Sequence, residues 1–269
     1  MNALHKAMTI AGSDTSGGAG MAADLKTFEE LNVYGMTALT VIVAQNPHNA
    51  WDHEIFPIEL SVVEKQLETI LAGIGIDAMK TGMLGSAELV ELVARTIDRF
   101  QLKNVVIDPV MVCKGIDTIM VPDAAAAIKQ LLIQPADVIT PNTLEAAYLA
   151  GMPQVKTLDE IKEAAGRIKE LGAKYVVIKG GERMENDEAI DVLYDGKEFT
   201  EMAEKKIYPS YNHGAGCTYS AAITAGLANG LSVPEAVFQA KKFITAALRH
   251  SFVLNQYSGC TNHTAFRRY

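Results

Sequence analysis

Cysteine is scarce in this 269-residue sequence, which contains only Cys113, Cys217 and Cys260. Three cysteines so widely scattered are too few for a disulfide framework and too far apart for a zinc knuckle. A chain that uses so little cysteine fits a reducing compartment best. The sequence therefore predicts a cytoplasmic protein whose thiols are reduced.

Long apolar runs are also missing. The longest, residues 36–44, is far shorter than a membrane span and contains two threonines. Residues 1–12 contain one lysine, and the apolar stretch after it is too short for a signal peptide. We therefore expect neither a targeting segment nor a membrane partner.

Positive charge is in deficit, since 24 lysine and arginine residues face 32 aspartate and glutamate residues, which gives a net charge of −8. This balance argues against a general binder of nucleic acid or of anionic membranes, so any handling of phosphate must be local. The remaining composition, 49% apolar and 21% charged, is that of a globular protein rather than a disordered one. The length fits one large domain, which we expect to span residues 1–269.

A short apolar run followed by a longer amphipathic one recurs along the chain. The predicted strands are residues 7–11, 38–44, 77–80, 105–107, 138–140, 175–179 and 190–194. The predicted helices are residues 21–31, 61–72, 87–100, 124–132, 144–150, 158–171, 215–229 and 233–252. Strands that are apolar without alternation suit a mostly parallel sheet covered by helices on both faces. The alternation predicts an open, doubly wound α/β fold, with residues 47–57 as a lid or a small strand insertion.

Ligands of such folds bind beyond the carboxyl ends of the strands, and residues 11–20 (AGSDTSGGAG) occupy such a place. Glycines allow the backbone to approach a ligand, and the N-terminus of the next helix attracts anions. The segment is not a Walker loop, and its match to G-x-G-x-x-A at Gly18, Gly20 and Ala23 lacks an acidic residue about 20 positions later. A nicotinamide-dependent oxidoreductase is therefore disfavoured, and a tight strand–helix turn remains the alternative. Asp24 either reaches the mouth of a pocket or serves the helix dipole.

A second candidate is the segment 212–218 (NHGAGCT), directly before an alanine-rich helix. Two glycines around Ala215 at the start of a helix would direct backbone N–H groups into one hollow, which makes an anion hole. A helix N-terminus lowers the pKa of a thiol, so we expect Cys217 to be a thiolate near neutral pH. The alternative is a small buried cysteine on a close-packed helix.

The strand at 105–107 is followed by Asp108, and then by a loop that contains Cys113 beside Lys114. A neighbouring lysine favours the thiolate, so Cys113 is a candidate nucleophile at the ligand edge of the sheet. A surface cysteine in a loop is the alternative.

Two further strand ends carry polar groups. Asn142 and Glu145 lie three residues apart at the start of a helix, where their oxygens could hold magnesium or form a capping box. Lys179 is followed by Gly180 and Gly181, which could place an amine and a flexible backbone near phosphate groups.

Together these segments resemble the ribokinase-like superfamily of small-molecule kinases, and within it the branch of hydroxymethylpyrimidine (phosphate) kinases and pyridoxal kinases. The resemblance covers nearly the whole chain and is carried by residues 11–28, 79–84, 106–111, 139–146 and 213–218. It implies a single-domain, three-layer ribokinase-like fold with a small lid over the active site. It also implies phosphoryl transfer from ATP to a primary alcohol with Mg²⁺, and a homodimer.

The resemblance assigns roles to individual residues. Most relatives in the superfamily have Gly-Ala-Gly-Asp, with the aspartate as general base, whereas Cys217 stands at that position here, as is typical of this branch. The implied catalytic residues are Cys217, Gly214, Ala215, Gly216 and Cys113. The implied substrate-binding residues are Gly12, Asp24, Val43, Gln45, Met83, Val110, Cys113 and His213. The implied ATP-binding residues are Asn142, Lys179, Gly181, Gly214, Gly216 and Lys242, and the implied metal ligands are Asp108 and Glu145.

The identity of the alcohol depends on two features. Gln45 resembles the pyrimidine kinases, in which an amide at this position reads an aminopyrimidine edge. Residues 111–115 together with 213–217 resemble the pyridoxal kinases, and Cys113 could add to the aldehyde of pyridoxal as a hemithioacetal. We expect a kinase for the 5'-hydroxymethyl group of pyridoxal, pyridoxine and pyridoxamine, with side activity on hydroxymethylpyrimidine. The alternatives are a dedicated hydroxymethylpyrimidine/phosphomethylpyrimidine kinase of thiamine biosynthesis and a non-catalytic sensor of vitamins or nucleotides.

Overall fold

The structure is a computed structural model that describes residues 4–112, 119–184, 187–208 and 211–268. The strands are β1 (His5–Asp14), β2 (Val33–Asn46), β3 (Asp52–Pro57), β4 (Ala78–Thr81), β5 (Val105–Ile107), β6 (Val138–Ile139), β7 (Tyr175–Lys179), β8 (Glu188–Tyr194), β9 (Phe199–Lys205), β10 (Phe252–Val253) and β11 (Gly259–Cys260). The helices are α1 (Gly20–Glu30), α2 (Leu60–Gly73), α3 (Ala87–Arg99), α4 (Pro122–Leu131), α5 (Thr143–Ala150), α6 (Leu158–Glu170), α7 (Ala215–Ala228) and α8 (Val233–Arg249). Two 3₁₀ helices span Gly181–Arg183 and His263–Arg268.

The chain divides into two compact units. The first consists of Met1–Gly85 and Ile207–Tyr269, and the second of Ser86–Lys206. In the first unit the strand order is β3-β2-β1-β4, in which β1 pairs in parallel with β2 and β4, and β3 pairs antiparallel with β2. Helices α1 and α7 pack on β1, and α2 packs on β2. In the second unit the order is β5-β6-β7-β8-β9, parallel up to β7 and antiparallel beyond it. The predicted single domain stays a prediction.

The parallel strands are apolar because helices cover them. All three residues of β5, Val105, Val106 and Ile107, are fully buried, and β4 is buried along its whole length. A strand that is buried on both faces needs no alternation of polar and apolar residues, so the continuous apolar runs in the sequence correctly indicated buried parallel strands. The predicted α/β class, with mostly parallel strands flanked by helices, is confirmed.

The segment 47–57 contains β3, which pairs antiparallel with the last part of β2. Of the two predicted possibilities, the structure therefore shows the strand insertion, and the lid function stays a prediction. Strand β9 was missed, because its exposed sequence FTEMAEK has few β-branched residues and much charge. Within the described ranges, no helix combines the length and the apolar character that a membrane span requires.

Candidate active site

Asp14, the last residue of β1, is the centre of a hydrogen-bond network in the first unit. Its Oδ1 accepts from the Gln45 side-chain amide at 2.8 Å and from the Ser16 backbone N–H at 2.8 Å. Its Oδ2 lies 2.5 Å from Nε2 of His213. Gln45 reaches Asp14 because β2 runs beside β1 and pairs Val43 with Asp14. The structure thus brings together Gln45, Val43 and His213, three predicted substrate-binding residues.

The network keeps Asp14 ionised. Burial alone would raise the pKa of Asp14, but the hydrogen bonds from His213, Ser16 and Gln45 outweigh it and hold the pKa well below its usual range. Asp14 was not among the predicted site residues, although its position at the carboxyl end of a strand was a usable signal.

The segment 212–214, directly before α7, is tightly packed against residues 11–20, the glycine-rich loop. Gly214 is the N-cap residue with φ +80°, and a Cβ atom there would lie 1.8 Å from the carbonyl oxygen of Gly18. Only glycine combines this left-handed conformation with so close an approach. The two predicted loops therefore lie in contact, and Gly216 and Cys217 belong to the first turn of α7, where Cys217 is partly exposed.

One of the predicted anion-hole amides is corrected by the structure. The N–H of Ala215 donates to the carbonyl oxygen of Asn212 at 3.0 Å, which closes a turn. An N–H that is used inside a turn does not point into a ligand hollow. The residues Gly216 and Cys217 come before Thr218, whose N–H makes the first i−4 bond of the helix, so their N–H groups suit an anion better.

Asp24 is also corrected. Its side chain has 0% exposure, and its carboxylate accepts from Nζ of Lys80 at 2.9 and 3.0 Å and from Oγ1 of Thr9 at 2.6 Å. A side chain without exposed surface does not line a pocket in this structure, so Asp24 instead neutralises the equally buried Lys80. Asp24 was predicted to line the alcohol pocket, and its pairing with Lys80 was not predicted.

The other predicted residues of the first unit are more dispersed. Gly12 is buried at the bulge of β1, where a Cβ atom would lie 2.6 Å from Cγ2 of Val41. The carbonyl oxygen of Met83 accepts from Oγ1 of Thr40 at 2.7 Å. Lys242 lies on the exposed side of α8, with Nζ 4.9 Å from the centre of the Phe238 ring. The predicted contact between Lys242 and the nucleotide stays a prediction.

In the second unit, buried Asp108 and partly exposed Lys179 form an ion pair at the ends of β5 and β7. Nζ of Lys179 lies 3.0 Å from Oδ1 of Asp108, and Oγ1 of Thr140 donates to the same oxygen at 3.2 Å. Strands β5, β6 and β7 are parallel neighbours, so their carboxyl ends meet at one edge. Thr140 is the member of this cluster that was not predicted as a site residue.

Asn142 and Glu145 form the capping box that was one of the two predicted possibilities. Oδ1 of Asn142 accepts from the N–H groups of Leu144 and Glu145, and Oε2 of Glu145 accepts from the N–H of Asn142 at 2.9 Å. Oε1 of Glu145 accepts from the N–H of Met111 at 3.3 Å. Burial raises the pKa of Glu145 to about 7, Asp108 adds to the rise and Lys179 opposes it.

The donor set of the second unit fits magnesium. Asp108 and Glu145 are both buried, and the charge of Asp108 raises the pKa of Glu145, so a divalent cation would relieve the repulsion between the two carboxylates. Mg²⁺ commonly takes one or two carboxylates and completes its shell with phosphate oxygens and water. The part of the chain that the structure describes has no group of three or more His, Cys, Asp or Glu side chains suited to a metal ion. Any metal here would therefore depend on oxygens from a nucleotide.

Backbone hydrogen bonds and turns shape the chain directly after β7 and β5. Gly180 donates its N–H to Oδ1 of Asp191 at 3.0 Å, and Gly181 has φ +56°. The N–H of Val110 donates to the carbonyl oxygen of Asp108 at 2.9 Å, directly after β5. Cys113, the predicted thiol clamp, lies outside the described residues.

The chain is similar to known kinases over most of its length. A model of the family described as phosphomethylpyrimidine kinase matches residues 14–262. The chain is 57% identical to the pyridoxine kinase of Bacillus subtilis (strain 168), over 98% of this chain and 97% of the relative. It is 40% identical to the hydroxymethylpyrimidine/phosphomethylpyrimidine kinase of the same organism, over 98% of this chain and 97% of the relative.

Solved structures extend the similarity. The crystal structure of an ADP complex of Bacillus subtilis pyridoxal kinase matches with a TM-score of 0.96 and 57% identity, over 98% of this chain and 99% of the other. The pyridoxal kinase from Staphylococcus aureus in complex with AMP-PCP and pyridoxal matches with a TM-score of 0.93 and 44% identity, over 99% and 96% of the two chains.

Proposed function

Because the chain belongs to the phosphomethylpyrimidine kinase family, within the ribokinase-like superfamily, we propose that it transfers a phosphoryl group from ATP to the 5'-hydroxymethyl group of pyridoxal. Pyridoxine and pyridoxamine carry the same group and are expected to be substrates, with hydroxymethylpyrimidine as a side substrate. The observation that carries the proposal is the near-complete coverage, at 57% identity, by a pyridoxine kinase. The chain is thus an alcohol phosphotransferase, as the sequence predicted.

The network around Asp14 supports a binding site for the substrate ring. Ionised Asp14 fixes the amide of Gln45 through its N–H, so that the amide carbonyl can accept from a donor on the ring. His213 is fixed by the same carboxylate. A site that is already ordered before binding loses less entropy when the substrate arrives.

The start of α7 is proposed to bind the transferring phosphoryl group. The first-turn N–H groups of Gly216 and Cys217, together with the helix dipole, favour the negative charge on its oxygens. The substrate oxygen bonds to the γ-phosphorus, the bond to the bridging oxygen breaks, and ADP leaves. The hydroxyl proton passes to the thiolate of Cys217, which is sufficient because phosphoryl transfer needs only modest base assistance.

The cluster of Asp108, Lys179 and Glu145 is proposed to serve the nucleotide. Mg²⁺, when bound, would neutralise charge on the phosphates. Asp108 and Glu145 would hold it, and Lys179 would add positive charge beside them. Asn142 and Gly181 are the other members of the proposed ATP-binding set in this unit.

A second candidate is a dedicated hydroxymethylpyrimidine/phosphomethylpyrimidine kinase. Gln45 favours it, since an amide can both donate to and accept from an aminopyrimidine edge. The 40% identity to such a kinase from Bacillus subtilis also supports it. A non-catalytic sensor is disfavoured, because the relatives are kinases and a sensor needs neither an anion hole nor a metal pair.

The test compares kcat/KM for pyridoxal and for hydroxymethylpyrimidine, using the purified protein with ATP and Mg²⁺. We expect kcat/KM for pyridoxal to exceed that for hydroxymethylpyrimidine by about tenfold or more, a ratio that one additional hydrogen bond to the substrate can produce. Cys217→Ala should lower kcat about 100-fold while leaving the unfolding temperature unchanged. A preference for hydroxymethylpyrimidine would transfer the assignment to thiamine biosynthesis.

We also propose, from the resemblance to the superfamily, that the protein is a homodimer. The mass of the chain is 29.0 kDa, so light scattering after size-exclusion chromatography distinguishes the two states directly. A cytoplasmic location is proposed from the scarcity of cysteine.

A further inference from the structure

The C-terminal segment lies against the loop that precedes α7. The N–H of His213 donates to the carbonyl oxygen of Gly259 at 3.1 Å, and the N–H of Thr261 donates to the carbonyl oxygen of His213 at 3.4 Å. A Cβ atom at Gly18 would meet Sγ of Cys260 at 2.4 Å and Cδ2 of His213 at 2.6 Å, so this segment also borders the glycine-rich loop. Residues 259–263 thus support His213 through its own backbone.

A buried chain of hydrogen bonds leads from this segment to the N-cap of α7. Nε2 of His263 lies 3.0 Å from Oγ1 of Thr218, and Oγ1 of Thr218 donates to the carbonyl oxygen of Gly214 at 2.9 Å. Thr218 is 0% exposed and His263 is 6% exposed. The hydroxyl of Thr218 has one hydrogen, which the carbonyl of Gly214 receives, so Nε2 of His263 must be the donor in the other bond.

His263 is neutral at physiological pH. Burial lowers the pKa of His263 to about 4, and the positive charge of Lys26 contributes to the shift. A neutral imidazole has one N–H, and the bond to Thr218 fixes that hydrogen on Nε2. In this series of hydrogen bonds, Nε2 of His263 therefore donates to Thr218, and the hydroxyl of Thr218 donates to the carbonyl oxygen of Gly214.

The carbonyl oxygen of Gly214 would have a hydrogen-bond donor even without the hydroxyl of Thr218. It already accepts from the backbone N–H of Thr218 at 2.9 Å. The second bond instead restrains the orientation of the Gly214 peptide group, which joins the segment 212–214 to the first turn of α7. The N–H groups of Gly216 and Cys217 follow within that turn.

We propose that His263 is a positioning residue for phosphoryl transfer, which acts through the hydroxyl of Thr218 on the peptide group of Gly214. This inference rests on the proposed function, in which the start of α7 binds the transferring phosphoryl group. His263 and Thr218 are buried and touch no reacting atom. They hold the anion hole in the geometry that the transition state requires, where a displacement of one ångström is costly in rate.

The experiment measures kcat, both KM values and the unfolding temperature for His263→Leu, His263→Gln and Thr218→Val. His263→Leu should lower kcat about tenfold, as the loss of one hydrogen bond in the transition state does, with little change in KM for pyridoxal or ATP. His263→Gln supplies an N–H near the position of Nε2 and should recover most of the rate. The variant with both Thr218→Val and His263→Leu should be no slower than Thr218→Val alone.

Phe266→Leu is the matched control, since Phe266 packs on Phe243 in the same C-terminal segment, with ring centres 5.2 Å apart, and has no place in the chain of hydrogen bonds. It should lower the unfolding temperature and leave kcat unchanged. Equal losses of kcat in Phe266→Leu and His263→Leu, or no recovery in His263→Gln, would overturn the proposal. If His263→Leu does not fold, the kcat of Thr218→Val decides. An unchanged kcat in Thr218→Val would refute a role for the hydrogen bonds that connect His263 to Gly214. A wild-type protein that phosphorylates no vitamin alcohol would instead refute the proposed function.

Discussion

Lys80→Met should be among the most destabilising single changes in the first unit. Lys80 and Asp24 both have 0% side-chain exposure, with Nζ of Lys80 2.9 and 3.0 Å from the two carboxylate oxygens. Removal of one member of a buried ion pair leaves a buried charge without its counter-ion, which costs about 3–5 kcal/mol. In a chain of this length, each kcal/mol lowers the unfolding temperature by about 2–4 °C. The expected decrease is therefore about 6–20 °C.

The assay is urea denaturation followed by circular dichroism, with thermal unfolding in parallel. Lys174→Met is the matched control, since Lys174 pairs with Asp137 at 2.6 Å but its side chain is 69% exposed. Such a surface pair is worth about 0–1 kcal/mol. The variant with both Asp24→Asn and Lys80→Met removes both buried charges and should recover most of the stability lost in Lys80→Met.

The same variants test whether Asp24 contacts the substrate. If Asp24→Asn leaves the free energy of unfolding unchanged but raises KM for pyridoxal, Asp24 serves the substrate as the sequence suggested. In that case the reasoning from burial is wrong. We expect the opposite result, a loss of stability with KM almost unchanged in whatever fraction of Asp24→Asn remains folded.

Three further outcomes are expected. Because burial raises the pKa of Glu145 to about 7, the native state keeps a proton that the unfolded state releases between pH 4.5 and 7. The free energy of unfolding, measured by urea titration, should therefore fall by ~3 kcal/mol as the pH rises from 4.5 to 7. Glu145→Gln should abolish that fall. Gln45→Met should lower kcat/KM for hydroxymethylpyrimidine about tenfold and that for pyridoxal less; equal losses would contradict ring recognition by the amide. Cys113→Ala should weaken the binding of pyridoxal, measured by calorimetry, more than that of pyridoxine, which has no aldehyde; an unchanged affinity for pyridoxal would end the hemithioacetal hypothesis.

The sequence predicted the strands and helices well because the signals were local. Residues 105–107 and 175–179 were predicted as strands and form β5 and β7 with the same bounds. Short apolar runs between amphipathic ones are typical of buried parallel strands. The predicted helix at 158–171 ends one residue beyond α6, which is within the usual fraying of helix ends.

The site could be predicted only where its chemistry was local. Asn142 and Glu145 are three residues apart, so their capping box was foreseeable from spacing alone. Asp14 and His213 are 199 residues apart, and only the packing of α7 on β1 and α1 brings them together. For the same reason the pairing of Asp24 with Lys80 was not predicted, since nothing in the sequence near Asp24 indicates a cation 56 residues later.

The division of the chain into units also determines the order in which the protein can be completed during synthesis. Residues Ser86–Lys206 are continuous, so the second unit can fold as soon as they leave the ribosome. The first unit cannot, because it combines the two ends of the chain and includes contacts such as Asp14 with His213 and Thr218 with His263. Contacts this distant in sequence form slowly, since the entropy of loop closure is lost before they stabilise anything. The start of α7 therefore receives its hydrogen-bond support only after residues 259–263 have been synthesised.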